Sequence, residues 1–206
     1  MGGSHGSTLG GGMVRHREPA SQADDEGDLV MRAQHGDDAA YGQLVSIHQA
    51  VAFRTAYLIT GDRDEAEDCA QQGFIKAHRA LARFRLGSPF RPWLLRIVAN
   101  EARNSRRSAG ARSRLSLRIA PPAAGDPSPE EHAIAEERRA RLLEALARAP
   151  VDDRVVIAYR YFLGLSEAEM VVALDRPAGT VKSRLSRALG RLRDDLTGPP
   201  AGEPEP

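Results

Sequence analysis

The sequence predicts an all-α protein made of two small helical bundles joined by a flexible linker. Three observations carry that prediction. Apolar residues recur at three- and four-residue steps through both halves, and no stretch shows the period of two that a half-buried strand requires. Residues 108–129 interrupt the pattern with a run of Ala, Pro, Ser and Gly that has no sustained period. The 206 residues are 41% hydrophobic but only 5% aromatic, so each core is built mostly of Leu, Val, Ile and Ala.

Residues 1–25, rich in Gly and Ser at their start and acidic at their end, read as a disordered tail, and Met13 offers an internal start. Residues 26–107 read as the first module. Tyr41, Leu44, Val45, His48, Ala52, Thr55 and Leu58 form one face of a long helix, with Gly61 as its stop and Asp62 or Asp64 as the next cap. Ala66, Cys69, Ala70, Phe74, Ala77, Leu81 and Phe84 give the second helix its inward stripe. Gly87, Ser88 and Pro89 break the chain. A third helix is predicted from near Pro92, whose missing N–H costs nothing in a first turn, to about Arg107. Helicity resumes after the linker, and residues 130–196 form the second module. Leu142, Leu143, Leu146 and Ala149 lead to Pro150; Val155, Val156, Tyr159 and Phe162 lead to Gly164. Two short elements follow around Pro177, and residues 197–206 read as a disordered acidic tail.

The net charge of +1 conceals segregation. Residues 24–75 hold eleven acids against three arginines, residues 76–118 hold twelve bases against Glu101, and residues 175–193 hold six bases against Asp175. Two basic blocks in a balanced chain are the footprint of two polyanion contacts. A GC-rich coding bias explains Arg over Lys but not the clustering. The single Cys69 excludes an internal disulfide, and the six histidines make no metal-ligand pattern, so no metal or cofactor is expected. No apolar run approaches the roughly 20 residues of a membrane span, and no charged start leads into an apolar signal segment. The expectation is a cytoplasmic protein without membrane insertion.

In the second module, Ser166 with Glu169 makes a capping box, and Leu165 with Met170 takes the hydrophobic-staple positions. A turn at Asp175-Arg176-Pro177 precedes a helix whose Val181, Leu185, Leu189 and Leu192 point inward. The other face offers Lys182, Ser183, Ser186, Arg187 and Arg191, with Thr180 and Arg184 at its edges. Two short helices, a tight turn and a basic, hydroxyl-bearing second helix describe a helix-turn-helix. Arginines suit guanine and phosphate, and hydroxyls reach either. A solvated amphipathic helix is the plainer alternative. The run from Arg176-Pro177-Ala178 through Gly179-Thr180-Val181-Lys182-Ser183-Arg184-Leu185 resembles the sigma-4 domain of bacterial extracytoplasmic-function sigma factors. Val171 replaces a usual Ala there, and Asp175 a usual Gly.

Residues 64–79 resemble the sigma-2 helix that binds core RNA polymerase in that family. With Ala66, Ala70, Phe74 and Ala77 inside, the other face shows Asp68, Gln71, Gln72, Ile75 and Arg79, and an exposed Ile among amides suits a docking helix. Gln72, Gly73 and His78 depart from the usual Glu, Thr and Trp. Residues 84–104 resemble the stretch that reads and opens the −10 element. Trp93, Arg96, Asn100, Arg103 and Arg107 fall on one helical face, with Asn104 beside them and Arg85, Ser88 and Phe90 in the preceding loop. Arginine for phosphate, an amide for a base edge and an aromatic for stacking suit single-stranded DNA, although Trp93 could equally be core.

The resemblance implies a sigma factor with core RNA polymerase, promoter DNA and an anti-sigma factor as partners. It assigns −35 recognition to Arg176, Thr180, Lys182, Ser183, Arg184, Ser186, Arg187 and Arg191. Unstacking costs a few kcal/mol per step, while each stacked base returns about 1–3 kcal/mol, so Phe84, Phe90 and Trp93 do not melt duplex DNA without polymerase. A helix-turn-helix regulator without polymerase docking remains the alternative. An enzyme is disfavoured, because the chain has no nucleophile–base pair, metal cluster or glycine-rich phosphate loop.

Overall fold

The computed structural model describes the backbone of residues 19–108 and 129–197, and the side chains of residues 26–107 and 136–197. Eight α-helices and one 3-10 turn make up the described residues: α1 (Pro19–Gln34), α2 (Asp38–Thr60), α3 (Arg63–Ala80), the turn Leu81–Arg83, α4 (Phe90–Ser108), α5 (Pro129–Arg148), α6 (Val151–Tyr161), α7 (Glu167–Leu174) and α8 (Ala178–Thr197). The first helix begins at Pro19, inside the segment expected to be a disordered tail. Residues 1–18, 109–128 and 198–206, which carry the rest of the tail and linker expectations, lie outside the described residues.

Local chemistry sets the helix ends. Asp37 accepts from the N–H of Ala40 at 3.0 Å and caps α2. Gly61 closes that helix in the left-handed region (φ 78°), its N–H reaching the Tyr57 carbonyl. Asp62, rather than Asp64, caps α3 through the Glu65 N–H at 2.9 Å. Both arms of the Ser166–Glu169 capping box are formed, and Leu165 and Met170 are fully buried beside it. Asp175 ends α7 at φ 53°, ψ 50°, a conformation Asp tolerates better than most residues.

In the first module α2, α3 and α4 pack on one another, with α1 laid along α2. Two polar ties join α3 to α4: Lys76 pairs with Glu101, and the Ser105 hydroxyl donates to Glu65 at 2.7 Å. Between them the helices approach so closely at Gly73 that a Cβ there would stand 2.6 Å from Val98 Cγ2. In the second module α6, α7 and α8 enclose Val155, Val156, Tyr159, Leu165, Met170 and Val181. Phe162, the last of the four residues leading to Gly164, is exposed, because α6 ends at Tyr161 and the chain turns there.

The two modules meet. Their buried apolar residues form one contiguous cluster, with α4 against α7 and α2 against α6. Arg154, only 5% exposed, donates Nε–H to the Leu58 carbonyl at 2.8 Å and another N–H to Ala147 at 2.9 Å. Arg106 takes the neighbouring Ile59 carbonyl at 3.1 Å. Two guanidiniums, one from each module, thus satisfy carbonyls of the last turn of α2 that have no partner within the helix. Burial, with Arg106 adding to it, lowers the Arg154 pKa to about 10, so it remains a cation at neutral pH.

Candidate polymerase-docking and DNA-reading faces

Helix α3 turns Ala66, Ala70, Gly73, Phe74 and Ala77 into the core. That leaves Asp68, Gln71, Gln72, Ile75 and Arg79 together on its open face, all exposed, and Ile75 keeps 42% of its surface. Among the described residues none of these five side chains forms a hydrogen bond or ion pair. The backbone beneath them is braced by Tyr41, whose hydroxyl donates to the Phe74 carbonyl at 2.6 Å and whose ring meets His78 edge-on. Burial pushes the Tyr41 hydroxyl up to about 12, so it stays a neutral donor.

Along α4, Asn100, Asn104 and Arg107 are exposed, and Trp93, Arg96 and Arg103 are half-buried on the same side. The loop before it is a turn in which the Ser88 N–H reaches the Arg85 carbonyl at 3.1 Å, with Gly87 at φ 81°. Arg85 and Ser88 are exposed there. Phe90 is not: its ring is 1% exposed and packs on Phe84, Trp93 and His48, so it supports the loop from below instead of facing DNA. His48 is fixed in turn by Glu26 of α1 at 2.5 Å. Of the three rings, Trp93 alone keeps appreciable surface for stacking. Leu86, 48% exposed at the loop tip, is an apolar contact that the sequence reading did not single out.

On α8, Thr180, Lys182, Ser183, Ser186 and Arg187 are exposed, Arg184 is half-buried, and Arg176 lies exposed in the turn before the helix. Arg191 is exposed as well, and its guanidinium meets Asp153 at 2.6 Å; Asp153 is only 6% exposed, so the pair also fastens α8 to α6.

The α4 and α8 faces look at each other across a cleft of about 320 Å³. Asn100, Arg103 and Arg107 line one wall; Arg176, Thr180 and Arg184 line the other. Asp152 pairs with Arg103 at 3.8 Å and Arg184 at 2.7 Å, and Asp175 meets Arg96 at 3.5 Å. Partly solvated pairs of this kind contribute about 0–1 kcal/mol each, whereas burying one Leu or Val side chain contributes about 1.5–3 kcal/mol. These ion pairs therefore add less to the contact between the modules than the apolar cluster the modules share. Spacing along a helix could not pair Asp152 with Arg184, Asp153 with Arg191 or Arg154 with the Leu58 carbonyl, since these partners lie 32, 38 and 96 residues away.

Comparison with known proteins agrees with this architecture. Residues 44–112 match sigma-70 region 2, and residues 139–192 match sigma-70 region 4. The RNA polymerase sigma-H factor of Pseudomonas aeruginosa is 36% identical over 169 residues, covering 78% of this chain and 88% of that protein. The ECF RNA polymerase sigma-E factor of Escherichia coli K12 is 36% identical over 171 residues, with the same shares. Among solved structures, CnrH bound to the cytosolic domain of CnrY is similar with a TM-score of 0.64 and 26% identity over 84% of this chain and 97% of that one. The sigma factor RpoE bound to the anti-sigma factor NepR from Bartonella quintana follows at 0.59 and 25%, over 77% and 97%. Two helical modules in this order, each matched by its own family model and together by relatives above 30% identity over most of their length, make the chain a member of the sigma-70 family, an RNA polymerase sigma factor of the ECF type.

Proposed function

We propose that this sigma factor docks on core RNA polymerase through the open face of α3, reads the −10 element with α4 and its preceding loop, and reads the −35 element with the start of α8. It acts by binding and not by catalysis, in the cytoplasm, and an anti-sigma protein holds it in reserve. The observation that carries the docking assignment is the α3 face, where an exposed Ile75 stands among unbonded Asp68, Gln71, Gln72 and Arg79. Apolar anchors ringed by polar groups are where interface energy concentrates. The absence of a membrane-spanning helix among the described residues and the sigma–anti-sigma complex of the Bartonella relative are consistent with the cellular setting. Trp93, the one ring among Phe84, Phe90 and Trp93 with appreciable surface, fits a chain that captures a strand only with polymerase beside it, given about 1–3 kcal/mol per stacked base.

The test is binding of fluorescently labelled chain to purified core polymerase, wild type against Gln72→Lys/Ile75→Glu. Tight binding that weakens at least about 30-fold, or about 2 kcal/mol, in the variant is the expected result. Equal binding by both would overturn the α3 assignment, and no binding by the wild type would favour a stand-alone helix-turn-helix regulator.

A further inference from the structure

We propose that α1 is a positioning element for −10 recognition: Gln34 grips the entry of the loop at residues 85–89 and Glu26, through His48, props its exit. Base preference in the single strand then depends on side chains that never meet DNA. The inference rests on the assignment of α4 and its preceding loop to the −10 element. Every residue of that loop is exposed, and the hydrogen bond inside it runs from the Ser88 N–H to the Arg85 carbonyl. One internal bond does not fix so open a segment, so Arg85, Leu86 and Ser88 take their aim from the two ends of the loop.

Both ends are held from α1. At the entry, the Gln34 side-chain amide donates to the Leu81 and Phe84 carbonyls, each at 2.8 Å, across 47 and 50 residues of sequence. The chain leaves the 3-10 turn at Phe84 in an extended conformation (φ −71°, ψ 131°), so that carbonyl points out of the turn and finds its donor on α1. A primary amide supplies two neutral donors from one nitrogen in a fixed plane, which suits two neighbouring carbonyls. At the exit, Glu26 pairs with His48 at 2.5 Å, and the His48 ring lies 5.4 Å from that of Phe90, the first residue of α4. Phe84 and Phe90 meet at 5.8 Å and pack on Trp93 at 4.8 and 5.5 Å. The two grips thus converge on one aromatic cluster, and the loop stands on that cluster. Buried Leu29, Val30 and Ala33 already supply the apolar packing of α1. The amide adds direction to that packing: it fixes where the turn stands. Glu26 and Gln34 both lie ahead of residues 44–112, the stretch matched to sigma-70 region 2.

The experiment uses Gln34→Met, which keeps length and helix propensity without a donor, and Gln34→Glu, which sets a carboxylate against both carbonyls. The control, Asp62→Ala, removes the cap of α3 at the end of that helix remote from the turn. Thermal unfolding ranks the stabilities. Trp93, the single tryptophan, reports on the aromatic cluster of the free full-length chain through its emission wavelength and its quenching by acrylamide. Holoenzyme reconstituted with purified core polymerase then selects from a fork-junction DNA pool that carries a randomised −35 duplex and a randomised single-stranded −10 segment, and the retained strands are sequenced. Both Gln34 variants are expected to red-shift Trp93 and raise its quenching, Glu more than Met. Base discrimination in the single strand should fall about five- to tenfold in both, with −35 discrimination and core affinity within about twofold of wild type. Asp62→Ala is expected to unfold at a lower temperature with Trp93 emission and strand preference kept. Unchanged Trp93 emission in both Gln34 variants, or unchanged strand preference, overturns the proposal. Joint loss of −35 and −10 discrimination, or an equal loss in Asp62→Ala, also overturns it, because each reports general weakening of the module. If Gln34→Glu does not fold, Gln34→Met decides; if neither folds, Gln34 is structural and its positioning role is rejected. Absence of any strand preference in wild type sinks the −10 assignment, and the proposal with it, whereas a wild-type preference that survives both substitutions sinks the α1 grip alone.

Discussion

Gly73 sits where a single methyl group would push two functional faces apart. A Cβ there meets Val98 Cγ2 at 2.6 Å and Val98 Cα at 3.3 Å, so α3 and α4 touch at a distance only glycine permits. Gly73→Ala should destabilise the protein by about 1–3 kcal/mol, read as a shift in the urea midpoint, and adding Val98→Ala should recover part of the loss. Tyr159 makes the opposite case. It is fully buried in α6 with burial pushing its pKa up to about 12, and the nearby Thr55 hydroxyl of α2 completes no well-formed bond with it. An unsatisfied buried hydroxyl costs about 1–3 kcal/mol, so Tyr159→Phe should leave the unfolding midpoint unchanged or raise it. Neither property was legible in the sequence. Gly73 read only as a departure from the usual Thr and Tyr159 only as one of the residues leading to Gly164, because what decides each is a residue on another helix.

Elements whose ends depend on neighbours three or four residues away were legible. Gly61, the Ser166–Glu169 box, the Leu165–Met170 staple and the left-handed Asp175 all form as their spacing implies, since each is a reaction of the chain with itself over one turn. Ser166→Ala should therefore cost about 0.5–2 kcal/mol, measured by thermal unfolding, and should fray α7. The α3 face was legible for the same reason: once Ala66, Ala70, Phe74 and Ala77 are assigned inward, period 3.6 fixes what is left outside. The pattern failed where a side chain on the correct face finds a distant partner. Arg191 shares a face with Arg187 and also pairs with Asp153, and Phe90, expected in the loop before α4, opens that helix and turns under the loop onto His48. Pro19 opens α1 within a segment whose composition suggested disorder, because helix extension there needs no apolar stripe.

For the whole molecule, composition and charge segregation were enough to see two helical modules with two basic faces, but not that the faces would be turned on each other. A continuous apolar cluster, the Arg154–Leu58 bond and the aspartate bridges join the modules, and no sequence period encodes contacts between segments that a linker separates. The opposed faces bear on a problem of numbers. A genome offers about 10⁶–10⁹ competing sites to any exposed basic surface, and one that tracks phosphates freely spends its time on irrelevant DNA. With Arg103, Arg184 and Arg96 already paired within the chain, the unbound protein presents less cationic surface for such encounters.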